Sequence, residues 1–213
     1  GENKTMLVAL GAKVLNKEDD KTACDVLVLS PGVPINHPLA VEYKKNRRRV
    51  IGELELGAAF VKTPIVAVTG TNGKTTTTAL CGEIMANYYR DVKVVGNIGI
   101  PYTSVAADTT DEISGEVDEL SDKVAVTEVS SFQLETTHLF TPHVACVLNI
   151  APDHLDRHYT MENYIYLKKR ILKNMRESEY AVLNYDDEAV RSFADDAKCR
   201  VVWFSEREKV SGA

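Results

Sequence analysis

Apolar and polar positions follow two alternating rhythms along this chain. Short, nearly unbroken apolar runs occur at Asp25–Leu29, Val50–Ile51, Pro64–Val68, Val92–Val95, Lys123–Val129, Val144–Ile150, Tyr180–Asn184 and Arg200–Phe204. Runs of this length, rich in valine and isoleucine, predict strands covered on both faces. Between them the apolar spacing becomes helical over Pro38–Asn46, Glu53–Val61, the stretch after Lys74, Tyr164–Met175 and Glu188–Ala197. Strands alternating with helices imply an α/β fold with a mostly parallel sheet and right-handed crossovers.

The pattern also predicts a division. Residues 3–12 read as a helix end with a glycine stop and Lys13-Val14-Leu15 as a short strand, so the first part of the chain has only about three strands. Lys62-Thr63-Pro64 is the expected junction. An incomplete Rossmann-like unit over 1–62 would therefore precede a P-loop central domain over 63–213. The acidic stretch Asp108–Asp122 reads as an exposed excursion.

Composition narrows the class without naming it. With 213 residues, 44% apolar and 26% charged, the chain has enough apolar material for a real core. A formal charge of −6 argues against a general attraction to nucleic acid or to an anionic membrane. The local cluster Lys44, Lys45, Arg47, Arg48 and Arg49 reads as a solvated helix end. Cys24, Cys81, Cys146 and Cys199 show no CxxC or Cys/His spacing, which points to reduced thiols in the cytoplasm. No signal peptide or membrane-length apolar run is present, and Gly1 in place of methionine suggests a piece of a longer chain.

The most informative stretch is Val68-Thr69-Gly70-Thr71-Asn72-Gly73-Lys74-Thr75-Thr76, where a strand breaks at a glycine and a helix begins. Gly70 and Gly73 would let backbone N–H groups approach an anion, and the helix start adds unpaired donors and partial positive charge. Lys74 can reach outer phosphates and the Thr75 hydroxyl can ligate Mg²⁺. Val68 stands where a strict Walker pattern has its first glycine, so the loop is Gly-x-x-Gly-Lys-Thr.

Parallel strands place their carboxyl ends along one edge, where this loop, the Gly96–Gly99 turn, Glu128 and the Asp153–His158 loop would converge. Glu128 is a candidate Mg²⁺ ligand beside Thr75, or a solvated strand-end carboxylate. His154, between Asp153 and Asp156, is a candidate ligand or a surface residue; His158, His37, His138 and His143 have less in their favour. Lys168 shares a helix face with Tyr164, Leu167 and Ile171, and is either snorkelling or carries a lowered pKa and a chemical task. Ser30-Pro31-Gly32-Val33-Pro34 is a turn at a strand end, a ligand position or a plain connection.

Together these segments resemble the Mur ligases, ATP-dependent amide-forming enzymes of peptidoglycan precursor synthesis. The likeness rests on Ser-Pro-Gly-Val-Pro at 30–34, Gly-Glu-Leu-Glu-Leu at 52–56, Thr-Gly-Thr-Asn-Gly-Lys-Thr-Thr at 69–76, Gly-Asn-Ile-Gly at 96–99, Glu-Val-Ser-Ser-Phe-Gln-Leu-Glu at 128–135 and Asp-His-Leu-Asp-Arg-His at 153–158. The Ser-Ser-Phe-Gln-Leu and Gly-Asn-Ile-Gly elements favour the D-glutamate-adding branch. The resemblance implies that ATP phosphorylates the carboxylate of UDP-N-acetylmuramoyl-L-alanine and that the amine of D-glutamate attacks the acyl phosphate. Lys74, His154 and Lys168 would be the catalytic set. Gly70, Thr71, Asn72, Gly73, Lys74, Thr75 and Thr76 would bind ATP. Thr75 and Glu128 would hold one Mg²⁺, and His154 a second together with carbamylated Lys168, with Lys169 the runner-up. Asn97 and Ser130 would contact substrate, and Ser30, Pro31 and Gly32 would line the UDP-sugar site.

The family has three domains. By resemblance this chain is expected to hold part of the UDP-sugar domain and most of the ATP domain, without the amino-acid-binding third, and to be inactive alone. A cytoplasmic monomer without nucleic-acid or membrane partners is the accompanying expectation. The alternatives are another Mur ligase or a folylpolyglutamate synthase-like ligase, and a nucleotide-binding module without chemistry.

Overall fold

A computed structural model describes residues 24–109 and 122–210, with isolated positions before residue 16. The expected helix end over 3–12, the strand over 13–15 and the excursion over 108–122 therefore fall largely outside the described residues. The chain divides into two compact units, residues 1–27 with 34–50, and residues 28–33 with 51–213.

In the first unit, helix α1 (Pro38–Lys45) starts where Pro38 fits the first turn and the His37 Nδ1 accepts the Leu39 N–H. Lys44 and Lys45 occupy its last turn, where the helix carbonyls favour cations. Ala40 and Tyr43 are buried, and Arg48 lies 5.8 Å from the Tyr43 ring while donating to the Cys24 carbonyl at 3.0 Å. The basic cluster is thus a helix end with local partners. Strands β1 (Val26–Leu29) and β2 (Arg49–Gly52), each running from the residues of the first unit into those of the second, form a two-stranded sheet.

The second unit is built on a six-stranded sheet. Its strands are β3 (Ile65–Thr69), β4 (Asp91–Gly96), β5 (Lys123–Glu128), β6 (Val144–Val147), β7 (Tyr180–Asn184) and β8 (Arg200–Phe204), in the order β4-β5-β3-β6-β7-β8. Every pair is parallel. The middle strands are the most apolar and the most deeply buried: Ala67, Val68, Ala125 and Val126 have no accessible surface. Chain order reverses about β3, with β5 on one side and β6 on the other, which puts the crevice of an open sheet at the carboxyl end of β3. Helices α2 (Glu53–Ala58), α3 (Lys74–Met85), α4 (Thr103–Thr109), α5 (Ser131–Leu134), α6 (Leu155–His158), α7 (Met161–Lys169) and α8 (Glu188–Arg191) follow in sequence. Gly82 sits where a Cβ would run into the Val94 side chain, so a glycine lets α3 lie close on β4.

Several boundaries differ from the pattern-based expectation. The apolar run Val144–Ile150 is a strand only to Val147, because the Asn149 side chain turns to the loop after β3 instead of entering the sheet. Helix α7 begins earlier, at Met161, since Thr160 caps it by accepting the Asn163 N–H. It ends at Lys169, and Arg170–Leu172 tightens to a 3₁₀ turn. Similarly, Glu188–Ala197 is a single α turn capped by Asp187, followed by a 3₁₀ segment over Ser192–Asp196. The short helices α4, α5 and α6 carry too few periodic positions to be read from sequence. Among the described residues no helix is long and apolar enough to cross a membrane.

Candidate functional site

The site starts with the backbone between β3 and α3. Gly73 caps α3 in the left-handed region at φ 80°, a conformation that costs other residues strain. At Gly70 a Cβ would lie 3.0 Å from the Leu148 Cβ and 3.3 Å from the Asn149 nitrogen, a close approach that glycine makes without strain. Asn149 then clamps it. Its Oδ1 accepts the N–H groups of Thr71 at 3.1 Å and Asn72 at 2.8 Å, and its Nδ2 donates to the Asn72 carbonyl at 3.1 Å. These bonds leave the first turn of α3 as the source of unpaired donors at the mouth of the cradle.

Lys74 folds back over the loop, donating to the carbonyls of Gly70 at 3.0 Å and Thr71 at 2.8 Å. Thr75 donates its hydroxyl to Glu128 Oε2 at 2.7 Å, and Asn97 donates to Glu128 Oε1 at 2.9 Å. The register makes this possible, since Val68 and Gly96 flank Glu128 across β5. Gly96, at φ 106°, is a glycine because a Cβ there would meet the Glu128 carbonyl. Two hard oxygen donors from separate segments therefore meet at the loop. Among the described residues no group of three or more His, Cys, Asp or Glu could cage a metal. A cation here would keep waters or phosphate oxygens in its shell, as Mg²⁺ does.

The opposite wall comes from α6 and α7. His154 sits in the left-handed region at φ 52°, a costly position for a non-glycine residue and one often tied to function. Its Nε2 lies 3.4 Å from Asp153, and its ring lies 5.0 Å from that of Phe132. Lys168 is buried on α7 and donates to the Gly70 carbonyl at 2.7 Å. Burial first, and the neighbouring Lys74 charge second, bring its pKa down to about 7. Lys169, one residue on, pairs with Asp196 away from the site, so of the two lysines it is Lys168 that enters. Tyr164 shares a hydrogen bond of 3.1 Å between its hydroxyl and that of Thr71, tying α7 to the loop.

Lys74, Asn97, Ser130, His154 and Lys168 thus line one cavity of about 110 Å³, together with Ser131, Phe132, Asp153 and Tyr164. Thr75 and Glu128 adjoin it through Asn97. Thr71 is buried in the loop, whereas Asn72, Gly73 and Thr76 are exposed around it. Ser30 and Pro31 line a separate small crevice with Phe132, Gln133 and Glu135, and Gly32 is exposed in the same turn.

Sequence reasoning gave no site role to Asn149, or to Tyr164 and Phe132, which line the cavity. The signal for Asn149 was an amide closing an apolar run. His158, given little weight, is buried: its Nε2 lies 2.9 Å from the Ser131 hydroxyl and its ring stacks on Tyr164 at 5.2 Å. Burial is the first cause that lowers its pKa, which favours the neutral ring. The other histidines are structural where they are bonded: His37 caps α1, and His143 accepts the Ile65 N–H. The Gly-Glu-Leu-Glu-Leu segment is also structural, since Glu55 accepts the N–H groups of His138, Leu139 and Phe140.

Residues 68–212 match the model of the Mur ligase middle domain. The chain is 45% identical over 213 residues to UDP-N-acetylmuramoylalanine--D-glutamate ligase of Lachnospira eligens, covering 99% of this chain and 44% of that protein. It is 48% identical over 185 residues to the enzyme of the same name from Lachnoclostridium phytofermentans, covering 87% of this chain and 38% of the relative. The chain therefore spans less than half the length of these relatives. Among solved structures, UDP-N-acetylmuramate:L-alanyl-gamma-D-glutamyl-meso-diaminopimelate ligase from Neisseria meningitides superposes with a TM-score of 0.62 at 17% identity, over 97% of this chain and 69% of that one. That likeness concerns the fold.

Proposed function

This chain belongs to the Mur ligase family, and on that premise we propose that the protein containing it is the ATP-dependent ligase joining D-glutamate to UDP-N-acetylmuramoyl-L-alanine in the cytoplasm. In this reading residues 1–62 belong to the UDP-sugar domain and 63–213 to the ATP domain. The observation that carries it is the meeting of Lys74, Asn97, Ser130, His154 and Lys168, from five segments of the chain, around one cavity beside the Thr75–Glu128 pair.

The donor set fits a magnesium nucleotide. Residues 70–76 would hold the phosphates, Thr75 and Glu128 one Mg²⁺, and His154 with carbamylated Lys168 another. Bound there, the metal would supply positive charge to phosphate oxygens, which lowers the barrier to phosphoryl transfer. The Lys74 ammonium, held over the loop carbonyls, is placed to swing onto the transferring phosphoryl group and stabilise its charge. Lys168 supplies what carbamylation needs: with a pKa of about 7 a large share of it is the neutral amine, which attacks CO₂ and releases one proton as the anionic carbamate forms. Asn97 and Ser130 would orient the acceptor carboxylate, and Ser30, Pro31 and Gly32 would face the sugar nucleotide.

The test is phosphate release by the full-length protein with ATP, Mg²⁺, UDP-N-acetylmuramoyl-L-alanine and D-glutamate. Release that needs all four is expected, and none above blank from this chain alone. Release with a folate and L-glutamate instead would assign the protein to the folylpolyglutamate branch. No release with any acceptor would leave a nucleotide-binding module.

A further inference from the structure

Arg157, on α6 three residues after His154, is bonded to two segments, the 30–33 turn and the end of α5. Its Nη1 donates to the Pro31 carbonyl at 2.9 Å, and its Nη2 donates to the Glu135 carboxylate at 2.9 Å and to the Val33 carbonyl at 3.5 Å. The guanidinium carbon lies 4.1 Å from the centroid of the Phe132 ring. Arg157 and Glu135 are each only 16% exposed, so solvent weakens this pair little. The far side of the arrangement is the site itself, since the Phe132 ring also lies 5.0 Å from His154 and 5.1 Å from His158.

The turn that Arg157 grips is closed within itself by one bond, from Val33 N–H to the Ser30 carbonyl at 2.9 Å. The carbonyls of Pro31 and Val33 are left to an outside donor, and Arg157 supplies it. A planar guanidinium can serve two acceptors in a fixed fork while lying flat on a ring. A lysine in its place keeps the charge and loses both the fork and the stacking.

We propose that Arg157 is a positioning residue for the acceptor substrate: it sets the span between the Ser30–Val33 turn and the His154 loop. This rests on the Mur ligase reading, in which the turn faces the sugar nucleotide and the cavity that His154 lines with Asn97 and Ser130 takes the acceptor carboxylate. One molecule must reach both places, so a small change in their separation misplaces the reacting carboxylate, while ATP, held by residues 70–76, does not feel it. Glu135 holds the guanidinium in its orientation.

The test uses the full-length enzyme and compares wild type, Arg157→Lys and Glu135→Gln, with Arg157→Ala as the stronger lesion. The readouts are KM for UDP-N-acetylmuramoyl-L-alanine, KM for ATP, and the thermal midpoint. Arg157→Lys is expected to raise the acceptor KM by about tenfold or more while the ATP KM stays within about twofold. Glu135→Gln is expected to show the same selective rise, smaller in size. Equal rises in both KM values, or an unchanged acceptor KM in a folded Arg157→Lys enzyme, would overturn the proposal and leave the ligase reading standing. A wild-type enzyme without acceptor-dependent phosphate release would overturn both.

Discussion

The two walls of the cavity are held by different means. On the β3 side, Gly70, Gly73, Lys74 and Thr75 come from one continuous stretch, and their geometry follows from glycine backbone angles and a helix start. On the α7 side, His154, Tyr164 and Lys168 are oriented by contacts with residues remote in sequence: Phe132, Thr71 and Gly70. The first wall places its groups by local chemistry. The second places a lysine where burial and a neighbouring ammonium oppose its charge. Substitutions in the first wall should therefore strike turnover with little effect on folding, whereas substitutions in the second should change both.

The sharpest break of that contrast is expected at Lys74. In the full-length protein, Lys74→Ala should slow phosphate release by about two to three orders of magnitude with a thermal midpoint close to wild type. A large fall in the midpoint would show that this wall, too, depends on its side chain for stability.

Lys168 should show the opposite profile. Its ordinary pKa of 10.5 falls to about 7 in the fold, so between those values the unfolded chain binds more protons than the native one. Stability should therefore climb as pH rises through that window, and the full penalty of the buried charge should be present below about pH 7. Urea unfolding of this chain and of Lys168→Met, at pH about 7 and about 10, checks this. The methionine variant should be more stable at the lower pH by on the order of a few kcal/mol, with the gap narrowing at the higher. A gap independent of pH would mean that Lys168 is not held uncharged.

Asn149 joins the walls, because it sits after β6 yet bonds the loop after β3. Asn149→Ala should cost about 0.5–1.5 kcal/mol, since the exposed Asn72 N–H exchanges its acceptor for water, and should weaken binding of a non-hydrolysable ATP analogue. Unchanged binding would show that the loop keeps its shape unaided. The smallest effect is expected at Lys169, whose exposed pairing with Asp196 is worth about 1 kcal/mol or less. Lys169→Ala should leave phosphate release within about twofold of wild type, set against a loss of about two orders of magnitude in Lys168→Ala. Similar losses in both would dissolve the distinction between the neighbours.

Much of the second unit was legible in the pattern of residues. Strands β7 and β8 fall at the expected residues, and β3 and β5 lie close to them, because each is a compact apolar run bounded by turns. The alternation of strand and helix was enough to foresee a parallel sheet, and with it the rim where Glu128 and His154 would meet the loop. Harder to read were the places where a local signal competed with a distant partner. Leu148-Asn149-Ile150 continues an apolar run and reads as strand, yet the loop amides draw Asn149 out of the sheet. His158 reads as a surface histidine until Ser131, Phe132 and Tyr164 enclose it.

The order of residues was sufficient to specify the glycine turn and the helix start that carries Lys74 and Thr75, since these residues act within a few bonds of one another. It also specified the α/β class, which follows from the period of the apolar positions. Helical spacing already ranked Lys168 ahead of Lys169, because neighbours on a helix point about 100° apart and Lys168 shares the face of Tyr164 and Leu167; folding alone supplied its partner, the Gly70 carbonyl. Folding likewise gave Glu128 its two donors and Arg157 its two anchoring segments. Partners so far apart in the chain leave no periodic trace; their meeting is set by strand order and register, which many distant contacts determine together.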